Sequence, residues 1–345
     1  MELLEKYEDK WDNEEAIHFW GLNTWRVLSW NKSLPWSIEL LEKYEDKWDW
    51  KNLSSNESLP WSIELMEKHE SKWCWKNLSS NKSLPWSIEL LEKYKDKWDW
   101  NGLSENESLP WTIELIEKHK EKWNWNDYGP SSKGLSSNGS LPWSIELIER
   151  YEDKWDWSGY CGEYGEHGLS LNKSLPWSVE LIEKFKTKWN WGFEHEDYCE
   201  EFGLSFNDSL PWSIELIEKY KDKWMWDELS HNQSLPWSEE LIEKYEDKWK
   251  WNDYCGLSSN QSLPWSGKLI EKYKSKWNWS ELSYNPSLWS IELIEKYKDK
   301  WIWEQSDYWL ECKSKSTYEK AFKPYLTDNL IDEIMQKIIE KESEK

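Results

Sequence analysis

Residues 83–100 read SLPWSIELLEKYKDKWDW. The stretch has three parts: a Leu-Pro-Trp step, a charged amphipathic run, and two tryptophans two residues apart. Aligned on the first tryptophan, it occurs ten times, at Trp36, Trp61, Trp86, Trp111, Trp143, Trp177, Trp212, Trp237, Trp265 and Trp289. Four of the gaps between these are 25 residues, one is 24, and the others are 28, 32, 34 and 35. The ten repeats account for 30 of the 35 tryptophans. A fixed period of this length marks a solenoid, in which each repeat packs only on its neighbours.

The repeat beginning at Ser33 shows the local pattern. Ser37 stands before Ile38-Glu39 as a helix N-cap. Glu39 lies in the first turn, where the helix dipole favours a carboxylate. Leu40, Tyr44 and Trp48 then recur at i, i+4 and i+8, and Leu41 widens the stripe. This spacing predicts an amphipathic α-helix of about three turns. Glu39 and Lys43 stand at i and i+4, a pair that supports such a helix. In the second half, DWKNLSSN (49–56), Asp49 suits the cap of a short helix carrying Trp50 and Leu53, and Asn56 suits a left-handed exit. The fold expected is all-α: an α-solenoid of about ten repeats, each a long helix plus a short helix or turn. The alternative for a Trp-rich short repeat is a β-hairpin solenoid of the choline- or glucan-binding kind. Such solenoids use Gly-rich alternating strands, which these helix formers do not resemble.

The domain organisation follows. Residues 1–30 form a partial N-terminal repeat with an insertion, 31–309 the tandem repeats, and 310–345 a C-terminal capping region. In that region Thr327 precedes a helical stripe of Leu330, Ile331, Ile334, Met335, Ile338 and Ile339. Residues 2–11, ELLEKYEDKW, match a repeat helix that lacks its Leu-Pro-Trp step. An uncapped repeat at that end could stack on a second copy, giving a homo-oligomer.

The repeat resembles Trp-rich tandem-repeat proteins of bacteria and large viruses with the pattern LSxNxxLPWSxELIEKYxDKWDW. LSSNKSLPWSIELLEKYKDKWDW (78–100) and LSFNDSLPWSIELIEKYKDKWMW (204–226) carry the likeness, which spans about residues 28–303. It implies a repeat architecture and transfers no activity. More distantly, the arrangement is similar to tetratricopeptide and ankyrin arrays, which implies a protein-binding scaffold.

Composition narrows the partners. The formal net charge is −23, so the chain should repel nucleic acid and anionic membranes. No apolar run approaches the ~20 residues that span a bilayer. Met1 to Lys10 lacks the basic region and apolar core of a secretory signal. Five cysteines without regular spacing do not make a disulfide framework. A cytoplasmic protein is expected.

Variation concentrates between the third tryptophan and the following Leu-Ser step. Regular repeats hold two residues there, such as Lys51-Asn52. Longer segments are NDYGPSSKG (126–134), SGYCGEYGEHG (158–168), GFEHEDYCEEFG (192–203), NDYCG (252–256) and, near the start, EEAIHFWGLNTWRV (14–27). Insertions at one position of every repeat fall on one edge of a solenoid, often the binding edge. Tyr128, Tyr160, Glu163, Tyr164, His167, His195, Asp197, Tyr198 and Tyr254 are therefore candidate partner contacts. Cys161, His167, His195 and Cys199 could also make a Cys2His2 zinc set, although Cys-x5-His and His-x3-Cys are not zinc-finger spacings.

No Gly-rich phosphate loop or Gly-x-Ser-x-Gly motif occurs. His69 and His119 stand where other repeats have Tyr, so packing roles are expected. The leading expectation is a non-enzymatic scaffold that binds a protein or peptide on its concave face or insertion edge. A self-assembling structural protein and a metal- or ligand-binding module are the alternatives.

Overall fold

The computed structural model describes residues 24–126, 134–162, 165–192, 203–252, 256–285, 288, 293 and 296–301. The capping helix expected after Thr327, and residues 1–23, lie outside the described residues. The chain divides into two compact units, Met1–Asn190 with Glu194–Gly203, and Trp191–Phe193 with Leu204–Lys345. Both are built from the expected repeats, and the fold is an all-α solenoid. A small hairpin, β1 (Tyr160–Gly162) and β2 (Gly165–His167), interrupts the helices in one insertion.

Each regular repeat contributes two short helices of five or six residues. In the first repeat these are Ile38–Lys43 and Trp50–Ser55, and in the next Ile63–Lys68 and Trp75–Ser80. Ser37 and Asp49 cap them as their sequence positions require, accepting the Leu40 and Asn52 amides at 3.2 and 3.0 Å. The first helix is half the predicted length. Tyr44 leaves helical dihedrals (φ −118°, ψ 30°), and the Glu45 amide turns to the Glu42 carbonyl at 3.3 Å. The Leu41 carbonyl, lacking its usual i+4 amide, accepts the Trp48 indole N–H at 3.2 Å. The predicted stripe is buried nonetheless: Leu40, Leu41, Tyr44, Trp48 and Leu53 all lie in the core.

This indole bond shows why the repeat uses tryptophan. In the first repeat each of the three tryptophans donates to a backbone carbonyl, and most other repeats keep the same offsets. Trp36 bonds Asn31, Trp48 bonds Leu41 and Trp50 bonds Glu45, at 2.8, 3.2 and 2.9 Å. Phenylalanine is smaller and has no N–H to donate, so it would leave a gap and lose these bonds. The rings meet in quartets, one at each junction between repeats. Trp73 packs on Trp61 of its own repeat at 5.0 Å, and edge-on to Trp50 of the preceding repeat at 4.7 Å. Trp50 also meets the His69 ring at 4.9 Å. Such pairs add about 0.5–1.5 kcal/mol each beyond burial.

Two side-chain ladders join the repeats through the core. The serine of each Leu-Ser step donates to the third-tryptophan carbonyl and accepts an amide from the next repeat. Ser54 thus bonds the Trp50 carbonyl at 2.6 Å and the Cys74 amide at 2.9 Å. The asparagine two residues later donates backwards, Asn81 to the Ser54 carbonyl at 3.0 Å and Asn106 to that of Ser79 at 3.0 Å. Asn56 therefore does not take the left-handed exit expected of it. Its backbone is extended (φ −79°, ψ 110°), and its buried amide bonds the Ser29 and Asn31 carbonyls while its Oδ1 accepts the Ser58 amide. A buried amide that can satisfy three partners belongs in such a ladder.

The N-terminal assignment also changes. Residues 25–27 are not insertion. Trp25 and Leu28 keep the regular two-residue spacer, and Thr24–Trp30 forms an ordinary second helix. Trp25 packs on Tyr44 and Trp48 at 5.1 and 5.0 Å, and Ser29 bonds its carbonyl at 2.7 Å.

Candidate functional site

The insertions hang from the same bonds that hold the regular repeats. In a regular repeat the Leu78 amide closes on the Cys74 carbonyl at 3.0 Å, and Ser79 bonds the Trp75 carbonyl at 2.8 Å. In the repeat interrupted by residues 126–134, the Leu135 amide reaches the Asn124 carbonyl at 2.8 Å and Ser136 the Trp125 carbonyl at 2.6 Å. The same two contacts recur as Leu169 to Asp156 and Ser170 to Trp157, at 2.8 and 2.7 Å. The inserted residues take the place of the regular two-residue spacer. What is lost is the short α-helix, reduced to single 3₁₀ turns at Leu135–Ser137, Leu169–Leu171 and Leu257–Ser259.

Glycines make these junctions possible. Gly168 returns the chain from the hairpin at φ +82°, a region an L side chain rarely enters. A Cβ there would sit 2.3 Å from the Ser158 carbonyl oxygen. Gly159 and Gly203 bring two different insertions together, with the Gly203 amide on the Gly159 carbonyl at 3.3 Å. A Cβ on Gly159 would lie 2.5 Å from the Gly203 Cα. The Gly168 amide in turn donates to Ser137 Oγ, at the return of the preceding insertion, at 2.8 Å. Within the first compact unit, described residues bordering the insertions are thus bonded in pairs, Gly159 with Gly203 and Gly168 with Ser137.

The hairpin register opposes Tyr160 to His167 and Cys161 to Glu166. Those backbone positions are fixed, so Cys161 and His167 stand on paired strands but are not register partners. Tyr128, Glu163, Tyr164, His195, Asp197, Tyr198, Cys199 and Tyr254 lie outside the described residues. Among the described residues, no three His, Cys, Asp or Glu side chains gather as metal ligands.

Away from this edge, the charged groups of neighbouring repeats interlock. Lys68 pairs with Glu42 of the preceding repeat rather than with Glu64 of its own helix. Lys118 and Glu92 do the same at 2.7 Å. The lysine of most Asp-Lys-Trp or equivalent steps covers a third tryptophan, as Lys72 covers the Trp50 ring at 5.3 Å and Lys97 that of Trp75 at 5.1 Å. That cation–π position closes the ring face to a stacking ligand. His69 and His119 are buried as packing groups, bonded to Glu45 and Glu92 at 3.0 and 2.8 Å. Lys118, and then His119, hold the Glu92 carboxyl below the usual carboxylate range. Burial first, and then Glu117, push the Tyr151 hydroxyl up to about 12.

One acid row takes no part in this pairing. Glu39, Glu64 and Glu89 turn back to their own backbone amides and to the N-cap serines, which lower their pKa values in that order of effect. The residues beside them, Ile38, Ile63 and Ile88, are 41, 39 and 37% exposed. Sequence reading treated these isoleucines only as helix starts. The signal was an aliphatic residue recurring off the Leu-Leu-Tyr-Trp stripe.

No family model, curated protein or solved structure matches this chain. Among the described residues, no helix is long and apolar enough to cross a membrane.

Proposed function

We propose that the chain is a non-enzymatic, cytoplasmic repeat scaffold that binds a protein or peptide, with the insertion edge as its variable contact surface. One observation carries this reading: insertions of different length and composition close on the same Leu-amide and Ser-hydroxyl bonds as the plain two-residue spacer. A frame that holds its geometry while one edge changes suits recognition, because the variable segments can be altered without disturbing the core. The contacts of Gly159 with Gly203 and of Gly168 with Ser137, which link residues bordering different insertions, support the same reading.

The test is affinity capture, comparing the native chain with one in which 126–134, 158–168, 192–203 and 252–256 are each cut to a two-residue spacer. A polypeptide retained by the native chain alone is the expected result. Retention of the same polypeptide by both chains would move the contact to the repeat surface. Recovery of nothing but further copies of the chain would overturn the scaffold reading in favour of self-assembly.

A further inference from the structure

At three repeat junctions a buried tyrosine donates its hydroxyl to a glutamate of the preceding repeat: Tyr151 to Glu117, Tyr245 to Glu218 and Tyr297 to Glu271. Each phenol ring also stands against a third tryptophan. Tyr151 meets Trp125 at 4.7 Å, Tyr245 meets Trp226 at 4.6 Å and Tyr297 meets Trp279 at 5.0 Å.

The rings of such a quartet differ in one chemical respect. Trp125 donates its indole N–H to the Lys120 carbonyl at 2.8 Å, Trp143 to that of Asn138 and Trp155 to that of Ile148, both at 3.0 Å. An amide carbonyl accepts a hydrogen bond but is not a base, whereas a carboxylate takes a proton. Tyr151 is therefore the ring of its quartet whose proton has an acceptor. Burial first, and then the glutamate, push all three hydroxyls above the ordinary phenol value, so the proton is in place at neutral pH.

The equivalent hydroxyls of Tyr94 and Tyr273 are buried as well, but no carboxylate accepts them. The glutamates in register, Glu67 and Glu243, pair with Lys93 and Lys272 instead.

We infer that the quartets of Tyr151, Tyr245 and Tyr297 are one-electron redox sites, in which a tryptophan oxidised by a small oxidising radical is restored by the tyrosine while the phenol proton passes to glutamate. In the first of them the oxidant takes one electron from Trp125 and is reduced, leaving an indole radical cation. Tyr151 then gives one electron to Trp125 and its hydroxyl proton to Glu117 Oε2. The products are neutral Trp125, a neutral Tyr151 phenoxyl radical and the Glu117 carboxylic acid. The Tyr151 O–H bond breaks and a Glu117 O–H bond forms. Lys154, 5.5 Å from the centre of the Trp125 ring, disfavours positive charge on that indole, and the transfer removes the charge. This activity goes beyond the scaffold reading and does not rest on it.

The test is pulse radiolysis of the full chain with azide, whose radical oxidises indoles, followed by the optical transients of the indole and phenoxyl radicals. Phenoxyl should grow in as the indole radical decays, at a rate independent of protein concentration. Changing Y151F, Y245F and Y297F together should remove most of that growth. Changing Y44F, Y94F and Y273F together should leave most of it. Phe185 already fills this buried position in another repeat, so these variants keep the packing. Changing E117Q, E218Q and E271Q together keeps the phenols and removes the base, and should slow the transfer about a hundredfold. The control E42Q, E67Q and E243Q removes the same charge from lysine-paired glutamates and should leave the rate unchanged. Circular dichroism melts establish that each variant is folded.

Equal loss of phenoxyl in the two tyrosine variants would overturn the assignment. So would a native rate in the E117Q, E218Q and E271Q variant, or decay of the indole radical without phenoxyl growth. If that glutamine variant does not fold, the two tyrosine variants decide the matter by themselves.

Discussion

The repeat at Trp75–Ser80 and the repeat that returns at Leu135–Ser137 differ by a whole inserted segment, yet their cores are interchangeable. Leu78 and Leu135 are both fully buried, and Ser79 and Ser136 each bridge a tryptophan carbonyl to the next repeat. The helix between the anchors is dispensable; the anchors are not. A six-residue helix contributes little by itself, because its nucleation cost is spread over few bonds. The buried leucine and the doubly bonded serine carry the stability at both sites.

That equivalence can be broken by experiment. Leu78→Ala and Leu135→Ala should each cost about 2–5 kcal/mol, the range for emptying a fully buried leucine site. Chemical denaturation of the two variants checks it. A markedly smaller cost for Leu135→Ala would mean that the interrupted repeat is looser than its bonds imply. Next come Ser79→Ala and Ser136→Ala, each of which strands a partly buried amide, that of Asp99 or Asp156, and removes a donor from a tryptophan carbonyl. About 1–3 kcal/mol is expected for each, and hydrogen exchange at those two amides would show where the protection is lost.

The smallest effect is electrostatic and should be shared by both kinds of repeat. Glu45 is held below the ordinary carboxylate range chiefly by Lys72, Glu117 chiefly by Lys120, and Glu271 is brought to about 2 by Tyr297, Lys274 and Lys296. A carboxylate whose folded pKa is depressed stabilises the fold above its unfolded value, and that contribution is lost as pH falls through the folded one. The melting temperature should therefore be level above about pH 5 and decline toward pH 2, with high salt flattening the decline. A melting temperature that rises on acidification would show that repulsion within the −23 net charge outweighs these pairs.

Much of the fold was legible before any coordinates. The Ser37 and Asp49 caps follow from residue type and position, and the Leu40, Leu41, Tyr44 and Trp48 stripe is buried as its period requires. The packing of His69 and His119 followed from their register with Tyr44. The candidate site was less legible. The common position of the insertions could be read from the sequence, but the approach of Gly159 to Gly203 joins residues from different repeats that no local pattern links. Trp25 could have been found: Trp-x-x-Leu-Ser is written at 25–29 as it is at 50–54, and the irregular residues before it hid the match.

The sequence by itself determined the period, the helical character of each repeat, its N-caps and the face it buries. These depend on neighbours a few residues apart, where backbone sterics and side-chain spacing decide. Only the tertiary structure decided that the first helix ends at Lys43, that Asn56 is extended rather than left-handed, and that Lys68 crosses to Glu42. Each of those outcomes turns on a bonding partner about seven to 27 residues away. An indole N–H, a buried amide and a lysine all had local alternatives. Stacking the repeats supplied partners that satisfied more buried groups at once, and the local alternatives lost.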